Sequence, residues 1–276
     1  LMLYLNLGCD YSDEHLQTIR ELVEFPFDAG VKIASVYGSP RDGNPFGSVR
    51  PSKRETKVSA DAFRRVCETL RHELGVEPIV TLNSLFPHDK QFGLDHNIFM
   101  DTLVRDNFVE YIKRMDDHVG AWIVSHPGVM ELLHSKIKSN LKIITSTIMN
   151  VHTIPQVEWI KNNWPKVIKV CTALFKNRDF DWLKTANNII ELELLANEFC
   201  TIGGIECEGL YRQACYEAQS MEISDGWNPM LTCCIEARRK NPEAWLMARF
   251  ILPQWMYAYE KETGVNNFKI TGRTHK

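Results

Sequence analysis

Five cysteines crowd the last third of this chain, at positions 200, 207, 215, 233 and 234, out of eight in all. Six residues separate Cys200 from Cys207, Gly203 and Gly204 among them. Glycines accept positive φ, so the loop can fold tightly around a bound group. Cys215 follows on a helical pattern, and Cys233 and Cys234 are adjacent after Trp227-Asn228-Pro229. Neighbouring thiols rarely both bind one metal, so one ligand is expected from that pair, Cys234 ahead of Cys233. Four thiolates suit a [4Fe–4S] cluster or a structural zinc. Zinc sites usually carry paired C-x(2–4)-C knuckles, which are absent, so the wider spacing favours a cluster. Cys67 and Cys171 sit inside helix and strand patterns and read as small buried hydrophobes.

These thiols follow a buried strand pattern, Ile189 to Ala196, that runs into Asn197 and Glu198. Seven other short apolar runs share its character: 1–7, 31–37, 78–83, 120–124, 141–146, 166–170 and 267–270. Helical patterns separate them. Ser12 is placed to cap a helix over 13–24, Ser59 one that Gly75 stops, and Thr153 one with Pro155 in its first turn. Pro127 stands at a favoured first helical position. A helix is expected over 244–262, broken near Pro253. Alternating strands and helices call for parallel pairing through right-handed crossovers, and eight such strands close a barrel. The fold expected is α/β, a (β/α)8 TIM-type barrel, regular or incomplete, with the cysteine-bearing loop after strand seven. One domain covers 1–276, with a cysteine-rich insertion at about 197–240. An open doubly wound sheet is the runner-up, but Gly8-Cys9-Asp10-Tyr11-Ser12 is no dinucleotide or phosphate-loop fingerprint.

A barrel of this kind works at the carboxyl ends of its strands. Those ends offer Tyr37, Asn83, Ser125, His126, Ser146, Thr147, Asn197, Glu198, Lys269 and Arg273. Glu198 and His126 could act as acid and base. Tyr37, Asn83 and Asn197 could contact a substrate, and Arg50, in a basic loop with Arg41 and Arg54, could hold an anionic one.

Across 276 residues the formal net charge is only −3, which argues against a surface built mainly for phosphate backbone. No apolar run reaches the roughly 18–20 residues that span a bilayer. Clustered thiols in an otherwise ordinary core point to a reducing cytoplasm rather than a disulfide scaffold.

The run into Cys200, its six-residue spacing to Cys207, and the ending Lys269-Ile270-Thr271-Gly272-Arg273 resemble the peptidase U32, or collagenase-like protease, family. The alternation from Val31 onward also looks similar. The resemblance implies a barrel and a four-cysteine [4Fe–4S] cluster, with Cys200 and Cys207 as the first two ligands. Cys215 and Cys234, or Cys233 in its place, would be the others. It implies oxygen-independent hydroxylation of a ring-containing substrate, either RNA-borne or a small-molecule precursor. Lys269 and Arg273 would then lie at the barrel mouth, where a cation could hold an anionic substrate. An electron donor or a U32-like partner subunit is the macromolecular company expected, and no membrane. Two other readings stand beside this iron–sulfur oxidoreductase: a metal-supported hydrolase, lyase or peptidase using Glu198 and His126, and a non-catalytic cluster-binding partner subunit.

Overall fold

The computed structural model describes residues 2–25, 30–39, 58–83, 102–137, 140–198 and 249–271, with a few positions between 236 and 243. Eight parallel strands form a closed barrel in sequence order, β1 Leu3–Gly8, β2 Val31–Gly38, β3 Glu77–Leu82, β4 Ala121–Val124, β5 Ile143–Thr145, β6 Val167–Cys171, β7 Glu191–Leu195 and β8 Asn267–Ile270. β8 pairs with both β7 and β1, which closes the ring. The expected (β/α)8 TIM-type barrel is what the chain forms.

The helices lie between the strands: α1 Asp13–Glu24, α2 Ala60–Glu68, α3 Thr102–Asp116, α4 Pro127–Lys136, α5 Ile154–Asn163, α6 Phe180–Ile189 and α7 Pro253–Thr263. Their starts follow local chemistry. The side chains of Ser12, Ser59 and Thr153 each accept a backbone N–H of the first turn, and Thr153 with Gln156 completes a capping box. α2 runs on through a π-helical turn, Thr69–Glu73, and the chain turns away at Gly75, whose φ of 64° suits a residue without Cβ. Pro253 does not break a helix. It opens α7 at the first helical position, where its missing N–H costs nothing, and Arg249–Leu252 before it is not helical. Of the helix expected over 244–262, residues 244–248 lie outside the described residues. So does most of the insertion expected at about 197–240.

Alternation along each strand sends one set of side chains outward and the other inward. The outward set, including Val36, Val80, Trp122, Val124, Val170, Leu192, Leu194 and Phe268, packs with the helices in the main core. Inside the ring, Tyr37, Ile79, Ala121, Ile123 and Ile144 form a separate apolar cluster on the β2–β5 side. The opposite side is polar. Asn6, Ser35, Glu193, Asn267 and Lys269 are all buried there. A barrel interior filled half with hydrocarbon and half with hydrogen-bonding groups is a built polar site, because unpaired polar groups would be costly in that volume. No helix of the described residues is long and apolar enough to cross a membrane.

Candidate functional site

The inner polar cluster forms because inward positions of β1, β2, β6, β7 and β8 carry Asn6, Ser35, Lys169, Glu191, Glu193, Asn267 and Lys269. Asn6 Nδ2 donates to Glu193 Oε1 at 2.9 Å, and Ser35 Oγ donates to Asn6 Oδ1 at 2.5 Å. Lys269 Nζ lies 3.7 Å from Glu193 Oε2 and 4.0 Å from the centroid of the Tyr37 ring. Lys169 Nζ donates to Asn267 Oδ1 at 2.6 Å and lies 3.4 Å from Glu191 Oε1. The Asn6–Glu193, Lys169–Asn267 and Tyr37–Lys269 contacts each skip a strand, which side chains on the concave inner face can do. Glu191 and Lys169 belong to the amino end of the barrel. Glu193, Lys269 and Tyr37 lie one layer closer to the carboxyl end, where such barrels do chemistry.

Cys171, the last residue of β6, joins this upper layer. Burial above all, with the Glu193 carboxylate beside it, pushes its thiol up to about 12 against an ordinary 9.0. The thiol therefore stays neutral and is no nucleophile at ordinary pH. Cys67 is raised further by the same cause, burial first. Cys67 and Cys171 are free, buried thiols, as expected, and Cys9 is buried with its sulfur accepting from Tyr11 N at 3.3 Å.

The rim above the cluster is tied together by backbone and side-chain bonds. Tyr37 donates its hydroxyl to Ile270 O at 2.8 Å. Asn197 Oδ1 accepts from Thr271 N at 2.7 Å and from Thr271 Oγ1 at 2.9 Å, and its Nδ2 donates to Thr271 O at 2.8 Å. Asn197, expected as a substrate contact, thus clamps the end of β7 to the end of β8. Gly38 is where β2 passes β1 most closely: a Cβ there would fall 1.8 Å from Cys9 O. Thr147 Oγ1 donates to Thr172 O at 2.8 Å, closing the rim between β5 and β6.

The stretch that carries the late cysteines leaves and re-enters at one point of this rim. Ala196 N donates to Lys269 O at 2.9 Å, and Ile251 N donates to Ala196 O at 2.7 Å. Asn177 Nδ2, fully buried, donates to both Leu195 O and Arg249 O at 2.9 Å. The described residues on either side of the 199–248 stretch, Leu195–Ala196 and Arg249–Ile251, are thus held next to each other, with Ala196 bonded to the backbone of Lys269.

Of the other residues expected at the site, Asn83 is buried at the end of β3 and Glu198 is half-buried three residues beyond β7. His126 caps α4: its Nδ1 accepts from Gly128 N at 3.0 Å. That use of Nδ1 leaves Nε2 as the atom able to carry a proton. His126 and Glu198 stand at strands three places apart round the ring. Arg50, Arg273, Cys200, Cys207, Cys215, Cys233 and Cys234 lie outside the described residues. Among the described residues, no group of three or more His, Cys, Asp or Glu could hold a metal ion. Glu193, Asn6 and Ser35 were not anticipated. The signal for them is the run Glu191-Leu-Glu193, with Leu5-Asn6-Leu7 and Asn267-Phe-Lys269, where polar groups recur with the strand period.

The chain is thus a closed (β/α)8 barrel with a buried charged pair below its carboxyl-end rim. No family model and no curated protein matches the chain. Among solved structures it is similar to the U32 peptidase Mk0906, at 12% identity and a TM-score of 0.61, over 100% of this chain and 95% of that one. CutC from Streptococcus agalactiae, named for copper homeostasis, is matched at 12% identity over 99% of this chain and 100% of that one, with a TM-score of 0.49. The first likeness shows a U32-like barrel; the second is too loose to bear on function.

Proposed function

We propose that this chain is an iron–sulfur-dependent oxidoreductase that acts on a small or ring-containing substrate at the carboxyl end of its barrel. The observation that carries the reading is the anchoring of the 199–248 stretch. Ala196 before it and Ile251 after it are joined by a backbone bond, and Ala196 is bonded in turn to the backbone of Lys269. Cys200, Cys207, Cys215 and Cys234, which lie between Ala196 and Ile251 in the sequence, would hold the cluster. The alternative fourth ligand is Cys233. Thiolates are the donors such a cluster requires, and Cys67 and Cys171, buried and raised, would not supply them. When bound, a cluster would supply the electron transfer that protein side chains cannot.

The chain's own residues do the rest. Lys269 presents its ammonium against the Tyr37 ring, with the Glu193 carboxylate 3.7 Å to its side. Asn6 and Ser35 hold the Glu193 carboxylate in one orientation. The apolar half of the interior, Ile79, Ala121, Ile123 and Ile144, keeps water from that flank, which strengthens the charged contacts beside it.

The test is a cysteine scan under anaerobic purification. Wild type is expected to be coloured, with a visible band that bleaches on reduction by dithionite. Alanine at 200, 207 or 215, and at one of 233 and 234, should abolish the band. A wild-type preparation with no such band, or a band indifferent to all five substitutions, overturns the reading. Hydroxylation of a ring is the reaction such a site would serve: water would supply the oxygen, and the two protons and two electrons released would pass to solvent and to an external redox partner or partner subunit.

A further inference from the structure

Glu193 and Lys269 are held firmly on their outer sides and unmet where they face each other. Oε1 of Glu193 accepts from Asn6, whereas Oε2 meets no nitrogen or oxygen donor at hydrogen-bond distance and the neutral Cys171 thiol lies beside the carboxylate. Lys269 Nζ stands 3.7 Å from that Oε2, beyond hydrogen-bond reach, and its other contact is the π-face of Tyr37. The two side chains are only 2% and 7% exposed. Two buried charges that stop short of bonding have lost their water without the bond that would offset the loss. A third group completes both at once if it sets an acceptor oxygen on Nζ and an N–H or O–H on Oε2.

The charge of that group follows from its neighbours. Glu193 already balances Lys269, Cys171 is a neutral thiol, and the Lys169–Glu191 pair at the amino end balances itself. An anion would lie against an unmet carboxylate oxygen.

We propose that Glu193 makes this a site for a neutral group with a donor beside a carbonyl oxygen, the edge of a lactam or amide, and that it excludes carboxylates and phosphates. This departs from the anionic substrate expected at Lys269. It rests on the barrel mouth being the substrate site, and it is independent of the cluster.

The test uses the full chain and two probes of similar size, 2-pyridone and benzoate, with binding read by saturation-transfer NMR. Wild type should bind 2-pyridone and bind benzoate about tenfold more weakly, the worth of one hydrogen bond to a charged group. Glu193→Gln removes the carboxylate and keeps the ammonium, so benzoate should tighten by about tenfold and become the better ligand. Should that variant fail to fold by circular dichroism, Glu193→Asp takes its place. Withdrawing the carboxylate by one methylene should then weaken 2-pyridone by about tenfold without helping benzoate. A wild-type preference for benzoate, an unchanged preference in the variants, or no binding of either probe, as a bridging water alone would give, overturns the proposal. Iron measured on the same samples separates the two readings. Iron-free protein that prefers 2-pyridone keeps this inference and sinks the cluster, whereas iron-loaded protein that prefers benzoate does the reverse.

Discussion

Removing one member of the Glu193–Lys269 pair should cost far more than removing both. The pair is 3.7 Å apart and almost fully buried. At an effective dielectric constant near 20 its attraction is about 4.5 kcal/mol. Desolvating two ions takes back several kcal/mol, so the intact pair contributes little net stability. Lys269→Met, which leaves the Glu193 carboxylate buried with no cation and only the neutral Asn6 and Cys171 beside it, should therefore lower stability by about 3–5 kcal/mol. Glu193→Gln keeps an oxygen for Asn6 Nδ2 but strands the ammonium, and should cost about the same. The double variant carries no buried charge there and should recover about 2 kcal/mol or more relative to Lys269→Met. Urea titrations of the four proteins, followed by circular dichroism, give the cycle directly. If Lys269→Met costs less than about 1 kcal/mol, or the double variant is no better than the single, the buried-pair reasoning is wrong.

Three further outcomes follow from neighbouring geometry. Cys171 has a folded value raised to about 12, so above 9.0 the unfolded chain releases a proton that the folded chain keeps. Stability should fall as pH rises through that window, by up to about 1.4 kcal/mol per pH unit. Cys171→Ala should flatten the alkaline slope of the urea midpoint, and equal slopes would contradict the assignment. His126→Ala should cost about 1 kcal/mol through loss of the α4 cap, and His126→Asn should restore it. Turnover that stays low in a fully stable His126→Asn protein would show instead that Nε2 serves the chemistry. Asn197→Ala removes the three bonds to Thr271. It should lower stability by about 1–3 kcal/mol and speed amide hydrogen exchange at Thr271, and unchanged exchange there would refute the clamp.

The barrel was legible because its punctuation is local. Ser12, Ser59, Thr153 and Pro127 announce helix starts through bonds made within one turn. Strand β8 was readable to the residue because Asn267–Ile270 is bounded by turn residues on both sides. Pro253 was misread because a proline that opens a helix and one that breaks it look alike without the preceding residues' backbone. The inner polar cluster was less legible. Glu193 meets Asn6 across 187 positions of sequence, and no local rule reports a contact of that span. What was readable, and passed over, is the period: a charge two places from another in a strand must share its face. Lys269 was found from its place at a strand end, whereas its pairing with Glu193 and Tyr37 needed the closed ring. Asn197 was placed correctly at the rim, but only the register between β7 and β8 reveals that its side chain is occupied by Thr271.

The account stands most directly on the metal content of the late cysteines. Iron and acid-labile sulfide should be quantified in anaerobically purified wild type and in Cys207→Ala, with folding of both checked by circular dichroism. Iron and sulfide in matching amounts in the first and neither in the second is the predicted result. A folded wild type without iron or sulfide would contradict it.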